Sequence, residues 1–311
     1  MEYGLILMSK KAFLFPGQGS QYVGMAKDLF DKSVEANEMI RTADDALGIN
    51  LSYIMFNGPE EELKQTEFTQ PAIFLHSVIL ASIIRTLHVD AAAGHSLGEY
   101  SALVSAGSIQ FYDAIKLVRA RGKAMQLAGI EKPGTMAAVV GLLPEKVASC
   151  CEEASSAGVV QCANFNSPGQ IVISGSVAGV KKAMEICKAS GAKLVKELVV
   201  SGAFHSPLME PAKTILSKEL EGIPVYDAKF PVYANVSAAP STSKDEIKKN
   251  LFEQVTSPIR WEETIRNMVN DGIKEFYEVG PGKVLQGLVK RISPDVKCTS
   301  IDKYSDVENF I

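Results

Sequence analysis

A serine flanked by two glycines constrains this chain more than any other feature of its sequence. In AAAGHSLGEYSAL, residues 91–103, Ser96 lies between Gly94 and Gly98. Small apolar residues before it predict a short buried strand, and the residues after it predict a helix. This setting is typical of a nucleophile elbow, although Gly-x-Ser-x-Gly alone also occurs in turns without a catalytic role. The pattern predicts that Ser96 is a nucleophile and that the Leu97 N–H helps to bind an oxyanion.

A serine nucleophile needs a base, and the sequence offers four histidines. His95 adjoins Ser96 at the sharp turn, so its side chain is expected to point elsewhere. His76 lies inside an apolar stretch and His88 at the end of it, where structural roles are favoured. His205, in VVSGAFHSPLM, follows the serine in the chain order of this fold type. His205 is therefore the predicted base, with a histidine in a surface loop as the alternative.

The acid that would orient the histidine is missing from the sequence pattern. Carboxylates between Ser96 and His205 lie mostly on predicted amphipathic helices, where solvated faces are expected. Either an acid comes later in the chain, or neutral groups orient the histidine.

Strands and helices alternate along the chain and predict an α/β fold with a mostly parallel sheet. The first strand is predicted at residues 12–15. A strongly apolar helix is expected to begin at Pro71, and another helix is expected to end at Gly129.

Residues 131–201 differ in character from the rest of the chain. Their pattern predicts the order β-α-β-β-α-β, the split unit of ferredoxin-like domains. We therefore expect this unit to be inserted in a discontinuous core made of residues 1–130 and 202–311.

Composition excludes several classes of function. The net charge of −4 over 311 residues argues against nucleic-acid binding as the main task. No apolar run is long enough to predict a transmembrane helix, so no membrane partner is expected. Five cysteines without CxxC spacing predict reduced thiols in a cytoplasmic protein and no metal site. Met8 resembles an alternative start, which makes residues 1–7 an expected tail.

Five segments occur in a familiar order: FPGQGSQ, GHSLGEY, RARGKAMQ, GAFHSPLM and EVGPGKVL. Together they resemble the malonyl-CoA:acyl carrier protein transacylase family, whose motifs also occur in the acyltransferase domains of polyketide synthases. The resemblance covers about residues 10–300. It implies an α/β-hydrolase-like core with an inserted ferredoxin-like subdomain, in agreement with the organisation above.

The resemblance also implies a role for each matching residue. Ser96 would carry the malonyl group as an ester, and His205 would move the protons. A main-chain carbonyl would orient the histidine in place of an acid, and Gln254, in EQVTSPIRW, matches the residue near it. The Leu97 N–H and the backbone at Gln18 would form the oxyanion hole.

Two further residues concern substrate choice. Arg121 matches the family arginine that binds the free carboxylate of the substrate, and its planar fork suits a carboxylate better than lysine would. A solvated or salt-bridged arginine is the alternative. Phe204, in GAFH, resembles the malonyl-selective form of that motif and would crowd an α-methyl group.

The expected partners are malonyl-CoA and acyl carrier protein, whose phosphopantetheine thiol would accept the malonyl group. No bound cofactor is expected, and a monomer is expected. The absence of a fused ketosynthase or carrier segment favours fatty acid synthesis over a free-standing polyketide acyltransferase. A serine esterase or thioesterase, and a non-catalytic relative that docks carrier protein, are the remaining alternatives.

Overall fold

The computed structural model describes residues 9–84, 86–308 and 310, and the expected tail, residues 1–7, lies outside them. Its strands are β1 (Lys10–Phe15), β2 (Ala91–Gly94), β3 (Gly134–Val140), β4 (Val160–Ser167), β5 (Gln170–Ser176), β6 (Leu194–Glu197), β7 (Val232–Tyr233), β8 (Pro240–Ser241), β9 (Ile273–Val279) and β10 (Lys297–Ile301).

The α-helices, in chain order, are α1 (Lys27–Lys32), α2 (Val34–Leu47), α3 (Leu51–Asn57), α4 (Glu60–Leu63), α5 (Thr66–Ile83), α6 (Gly98–Ser105), α7 (Phe111–Glu131), α8 (Pro144–Ala154), α9 (Val177–Ala189), α10 (Glu210–Glu221), α11 (Lys244–Gln254), α12 (Trp261–Asn270), α13 (Val284–Ile292) and α14 (Tyr304–Val307). Short 3₁₀ turns occupy Ser155–Ala157 and Pro207–Met209. None of the helices in the described part of the chain is long and apolar enough to cross a membrane.

The larger sheet has the strand order β10-β9-β1-β2-β7-β8. All its neighbouring strands pair in parallel, except β8, which is antiparallel to β7. Strand β1 lies near the middle, and its register pairs Phe15 with Gly94 of β2. The prediction of an α/β fold with a mostly parallel sheet is confirmed, and the carboxyl ends of β1 and β2 lie side by side.

Helices cover both faces of the larger sheet, as the alternation along β1 illustrates. Leu14 packs in a cluster with Trp261 of α12 and Leu288 of α13. Phe13 and Phe15 point the other way, into the main core with α5 and α7. Each fully buried side chain of this size stabilises the fold by about 1.5–3 kcal/mol relative to an exposed one. Burial on both faces explains the continuous apolar run of β1.

The smaller sheet is antiparallel throughout, with the order β4-β5-β3-β6. Its elements follow one another as β3-α8-β4-β5-α9-β6, which is the order predicted from residues 131–201. One face of this sheet packs against α8 and α9, with Ile173 and Val147 in the shared core. The other face is left for contacts with the rest of the chain.

The prediction that Pro71 begins a helix is wrong. Helix α5 begins five residues earlier, at Thr66, and Pro71 lies inside it. The first turn closes because the carbonyl of Gln65 accepts hydrogen bonds from the N–H groups of Phe68 and Thr69. Proline cannot donate such a bond, but the tertiary packing of this mostly buried helix outweighs the loss.

The prediction that Gly129 ends a helix is also wrong, since α7 continues to Glu131. A Cβ atom at Gly129 would lie 2.0 Å from the carbonyl oxygen of Ser201. The glycine therefore permits a close approach between α7 and the segment that leaves the smaller sheet, rather than a helix stop.

Candidate active site

Ser96 lies in the turn between β2 and α6, with a left-handed φ of 52°. A Cβ atom at Gly94 would lie 1.8 Å from the carbonyl carbon of Gly98. A Cβ atom at Gly98 would lie 2.0 Å from the carbonyl oxygen of Phe15 in β1. Only glycines fit a turn this tight against the neighbouring strand, so the strand-turn-helix prediction around Ser96 is confirmed.

Asn235 holds this turn, and the sequence reasoning missed it. Its side-chain Oδ1 accepts a hydrogen bond from the Ser96 N–H at 2.6 Å, and its Nδ2 donates to the Gly94 carbonyl at 2.7 Å. Asn235 is fully buried just after β7, the strand beside β2. A polar residue at the carboxyl end of a neighbouring parallel strand was the signal that could have found it.

His205 lies next to the serine. Its Nε2 is 2.9 Å from Ser96 Oγ, and its Nδ1 is 2.9 Å from the main-chain oxygen of Gln254. A carbonyl oxygen only accepts hydrogen bonds, so Nδ1 carries the proton and Nε2 of the neutral ring is free to accept one. The structure thus brings the predicted pair, Ser96 and His205, together. The Gln254 carbonyl occupies the position at Nδ1 where an orienting acid would otherwise bind.

Burial keeps the His205 imidazole neutral. The side chain is almost fully buried, and the positive charge of Arg121 lies nearby. Burial first, and the charge of Arg121 second, lower the pKa of His205 from 6.5 to about 3. The ring is therefore uncharged at neutral pH and able to take a proton from the serine hydroxyl.

Arg121 reaches the serine from helix α7. Its Nη2 donates to Ser96 Oγ at 3.1 Å and to Gln254 Oε1 at 2.9 Å, and its Nη1 donates to Gln70 Oε1 at 2.7 Å. All three acceptors are neutral, and the guanidinium is 1% exposed. A buried guanidinium that hydrogen-bonds only to neutral acceptors, with Glu99 nearby but not hydrogen-bonded to it, is suited to receive an anion. Gln70 was not predicted from the sequence.

Glu99 is a further buried group that the sequence reasoning missed. Its Oε2 accepts hydrogen bonds from Gln254 Nε2 at 2.8 Å and from the Asn235 N–H at 2.9 Å. Burial raises the pKa of Glu99 to about 7, against the opposing effect of these bonds and of Arg121. Glu99 lies on the first turn of α6, three residues after the serine.

A cavity of about 250 Å³ opens in front of Ser96, between the two sheets. Residues of the larger sheet and its loops line one side, and residues of β3, β4 and β5 line the other. Gln18, Gln70, Ser96, Leu97, Phe204 and His205 are among the residues that line the cavity.

Gln18 and Leu97, the residues predicted to supply N–H groups to an oxyanion, both line this cavity. Leu97 stands at the start of α6, where helix N–H groups lack helical acceptors. Neither its N–H nor that of Gln18 donates a hydrogen bond to another described residue. Both N–H groups are therefore available to a ligand. Phe204 also lines the cavity and is almost buried.

His95 and His76 have the surroundings expected from the sequence, whereas His88 does not show the structural role expected of it. His95 Nε2 lies 2.9 Å from Asn166 Oδ1, and its ring meets the edge of Trp261, away from the serine hydroxyl. His76 is buried and bonds to the carbonyl of Asp302. His88 is exposed.

Within the described ranges, no three histidine, cysteine, aspartate or glutamate side chains are grouped so as to hold a metal ion. All five cysteines are free thiols.

Relatives with known names resemble the whole chain. The sequence matches the acyl transferase domain family over residues 12–303. It is 44% identical over 304 residues to the malonyl CoA-acyl carrier protein transacylase of Staphylococcus aureus (strain COL), covering 97% of this chain and 99% of that protein. The protein of the same name from Bacillus subtilis (strain 168) is also 44% identical over 304 residues, covering 97% and 96%.

Solved structures agree with these relatives. An acyl carrier protein S-malonyltransferase from Vibrio cholerae has a TM-score of 0.93 and 41% identity, covering 97% of this chain and 99% of that chain. A malonyl-transacylase in complex with a type II polyketide synthase acyl-carrier protein has a TM-score of 0.93 and 41% identity, covering 96% and 98%. Matches of this extent show that the chain belongs to the acyl transferase family and, within it, to the malonyl-CoA:acyl carrier protein transacylases.

Proposed function

We propose that this enzyme transfers the malonyl group from malonyl-CoA to the phosphopantetheine thiol of acyl carrier protein, through a malonyl ester on Ser96. The observation that carries the proposal is the chain of contacts from Ser96 Oγ to His205 Nε2 and from His205 Nδ1 to the Gln254 carbonyl. The names of the relatives agree with the reaction. CoA and the phosphopantetheine of acyl carrier protein enter the reaction as parts of the substrates, so the proposed scheme needs no resident cofactor.

In the first half-reaction, Ser96 Oγ attacks the thioester carbonyl carbon while its proton passes to His205 Nε2. The N–H groups of Leu97 and Gln18 stabilise the oxyanion that forms. Collapse of the tetrahedral intermediate breaks the carbon–sulfur bond, and the proton on His205 passes to the departing thiol of CoA. The Ser96 ester and free CoA result.

In the second half-reaction, the carrier thiol gives its proton to His205 and its sulfur attacks the ester carbonyl. The carbon–oxygen bond to Ser96 breaks, and the proton returns from His205 to the serine oxygen. The lowered pKa of His205 keeps its imidazole neutral, which is the form that accepts the proton at the start of both half-reactions.

Arg121 binds the free carboxylate of the malonyl group in this scheme. Its Nη2 now donates to Ser96 Oγ, and a substrate carboxylate would replace that acceptor and release the hydroxyl for attack. Phe204 limits the space beside the α-carbon and so disfavours a methyl branch.

We further propose that the site lies between two units of the chain, an α/β-hydrolase-like core of residues 1–130 and 202–311 and a ferredoxin-like insertion of residues 131–201. The cavity wall, which draws on both sheets, supports this division. The close approach of Gly129 to Ser201, at the two ends of the insertion, supports it as well. We expect carrier protein to enter from the open side of the cavity and the enzyme to act as a monomer in the cytoplasm.

Two other functions are less well supported. A serine hydrolase would use an acidic residue on its histidine, and here His205 Nδ1 bonds to a main-chain carbonyl. A free-standing polyketide acyltransferase would use the same site chemistry, and no residue described here favours it over fatty acid synthesis.

The experiment is to incubate the protein briefly with malonyl-CoA and measure its intact mass, then locate the adduct by peptide mass spectrometry. We expect one malonyl group on the peptide that contains Ser96, and none in Ser96→Ala. Ser101→Ala is the matched control, because it removes a buried hydroxyl without a hydrogen-bond partner from α6, the helix that follows the Ser96 turn. A malonyl group on Cys298 that persists in Ser96→Ala would overturn the mechanism.

A further inference from the structure

Gln254 occupies the centre of the site, and its side-chain amide has only one productive orientation. Its Nε2 donates to Glu99 Oε2 at 2.8 Å and to the Ser96 carbonyl at 3.0 Å. Its Oε1 accepts from Arg121 Nη2 at 2.9 Å. A flipped amide would set its oxygen against the Glu99 carboxylate and its nitrogen against the guanidinium. Each flipped contact would be repulsive.

The same residue holds the histidine through its main chain, because the Gln254 carbonyl accepts the His205 Nδ1–H at 2.9 Å. Gln254 is fully buried at the end of α11. Gln254 therefore contacts two groups of the site, the imidazole of His205 through its main chain and the guanidinium of Arg121 through its side chain.

We propose that Glu99 is a positioning residue for acyl transfer, whose carboxylate fixes the Gln254 amide and thereby aligns His205 with Ser96 and Arg121 with the substrate. The inference rests on the function proposed above. Glu99 contacts neither group directly by a hydrogen bond in the described structure. Glu99 thus serves as the orienting acid that the sequence pattern lacks, but it acts on His205 through Gln254 and not by direct contact.

A carboxylate suits this position better than an amide. In its ionised form Glu99 can only accept hydrogen bonds, so Gln254 presents its Nε2 to Glu99 Oε2. The same oxygen accepts from the Asn235 N–H, and Asn235 in turn holds the Ser96 and Gly94 backbone. One buried carboxylate thus joins the elbow, the base and the guanidinium in a single network.

The first test compares Glu99→Gln with Glu99→Met, two side chains of similar length. Glutamine still has an oxygen that can accept both hydrogen bonds, and methionine does not. For Glu99→Met we expect kcat/KM with malonyl-CoA to fall about 100-fold, the scale of a misaligned catalytic group. For Glu99→Gln we expect a loss within about tenfold, the scale of one weakened hydrogen bond. Equal losses in the two variants would overturn the proposal.

The second readout is the rate at which a small uncharged sulfonyl fluoride labels Ser96, because this reagent needs His205 as the base but has no carboxylate for Arg121 to bind. We expect Glu99→Met to slow this labelling and, separately, to lower the malonyl-CoA to acetyl-CoA ratio of kcat/KM. Glu278→Met is the matched control. Glu278 is also buried with a pKa raised to about 7, but it bonds to the backbone N–H groups of Leu285 and Gln286. We expect this control to label at the wild-type rate per folded molecule.

A double-mutant cycle tests the route through Gln254. If Glu99 acts mainly through that amide, Glu99→Met costs much less in a Gln254→Ala background than in the wild-type background. Additive losses would overturn the proposal. Where Glu99→Met does not fold, judged by circular dichroism, Glu99→Gln in both backgrounds supplies the same cycle.

Measurements on the wild-type protein distinguish failure of the positioning role of Glu99 from failure of the proposed acyl-transfer function. Failure of the wild type to form the Ser96 ester would overturn the proposed function itself. A wild type that transfers malonyl groups, together with folded Glu99 variants of unchanged rate and ratio, would overturn the positioning role alone.

Discussion

Arg121→Ala gives the sharpest test of substrate choice, because malonyl-CoA differs from acetyl-CoA by one carboxylate. The wild-type guanidinium is 1% exposed and donates three hydrogen bonds to neutral oxygens. Without it, the substrate carboxylate would enter this dry site unpaired. Breaking a buried charge pair by removing one partner costs about 3 kcal/mol or more.

That cost corresponds to a loss of about two powers of ten in kcat/KM for malonyl-CoA. Acetyl-CoA carries no carboxylate, so we expect its transfer to fall much less in Arg121→Ala. Arg121→Lys keeps the charge but cannot donate to Gln70 and Gln254 with a planar fork, so it should recover only part of the loss.

The assay measures kcat/KM with malonyl-CoA and acetyl-CoA, to one purified carrier protein, in wild type and both Arg121 variants. Arg119→Ala is the matched control, two residues away on the same helix. Its guanidinium donates to the carbonyl of Leu47 and lies near Glu67, away from the serine. A malonyl to acetyl ratio that is the same in all proteins would refute the reasoning, and a change confined to Arg119→Ala would move the carboxylate site to that residue.

Four further outcomes are expected. His205→Ala should slow both half-reactions by about 10²–10⁴-fold in single-turnover measurements, and His95→Ala should slow them less. Because the folded pKa of His205 is lowered from 6.5 to about 3, the unfolded chain binds more protons between these values. Stability should therefore fall as pH drops below about 6.5, and less so in His205→Asn, as urea unfolding at several pH values can measure. Gly129→Ala should lower the free energy of unfolding by about 1–3 kcal/mol through the clash at 2.0 Å, whereas Gly222→Ala, whose nearest contact is 3.5 Å, should not. Phe204→Ser should raise the methylmalonyl-CoA to malonyl-CoA ratio of kcat/KM, and an unchanged ratio would remove Phe204 from substrate selection.

Local patterns predicted the parts of the site that depend on local geometry. The turn at Ser96 needs glycines because a Cβ atom at Gly94 or Gly98 would clash with backbone atoms. The five-residue pattern Gly-x-Ser-x-Gly is enough to predict this requirement. His205 and Arg121 were predicted from their motifs, and the structure brings both to the serine hydroxyl.

The missed residues depend on tertiary neighbours. Asn235 lies 139 positions after Ser96 and meets it only because β7 pairs with β2. In the sequence, Glu99 resembles any charged residue in the first turn of a helix. Its burial follows from packing around Gln254, which the sequence pattern does not show. The predicted helix start at Pro71 was wrong for a related reason, since tertiary packing decides where a mostly buried helix begins.

The left-handed backbone at the site has a consequence for how this enzyme can be stabilised. Among the described residues, four that are not glycine have positive φ, and two of them are Ser96 at 52° and His205 at 56°. Each such residue costs about 1–3 kcal/mol, which the surrounding contacts must offset. Glycine at either position would relax the chain and remove the reactive side chain at the same moment. Selection for thermal stability alone would therefore favour substitutions at Ser96 and His205 that abolish turnover. A search for a more stable variant must measure activity as well as melting temperature.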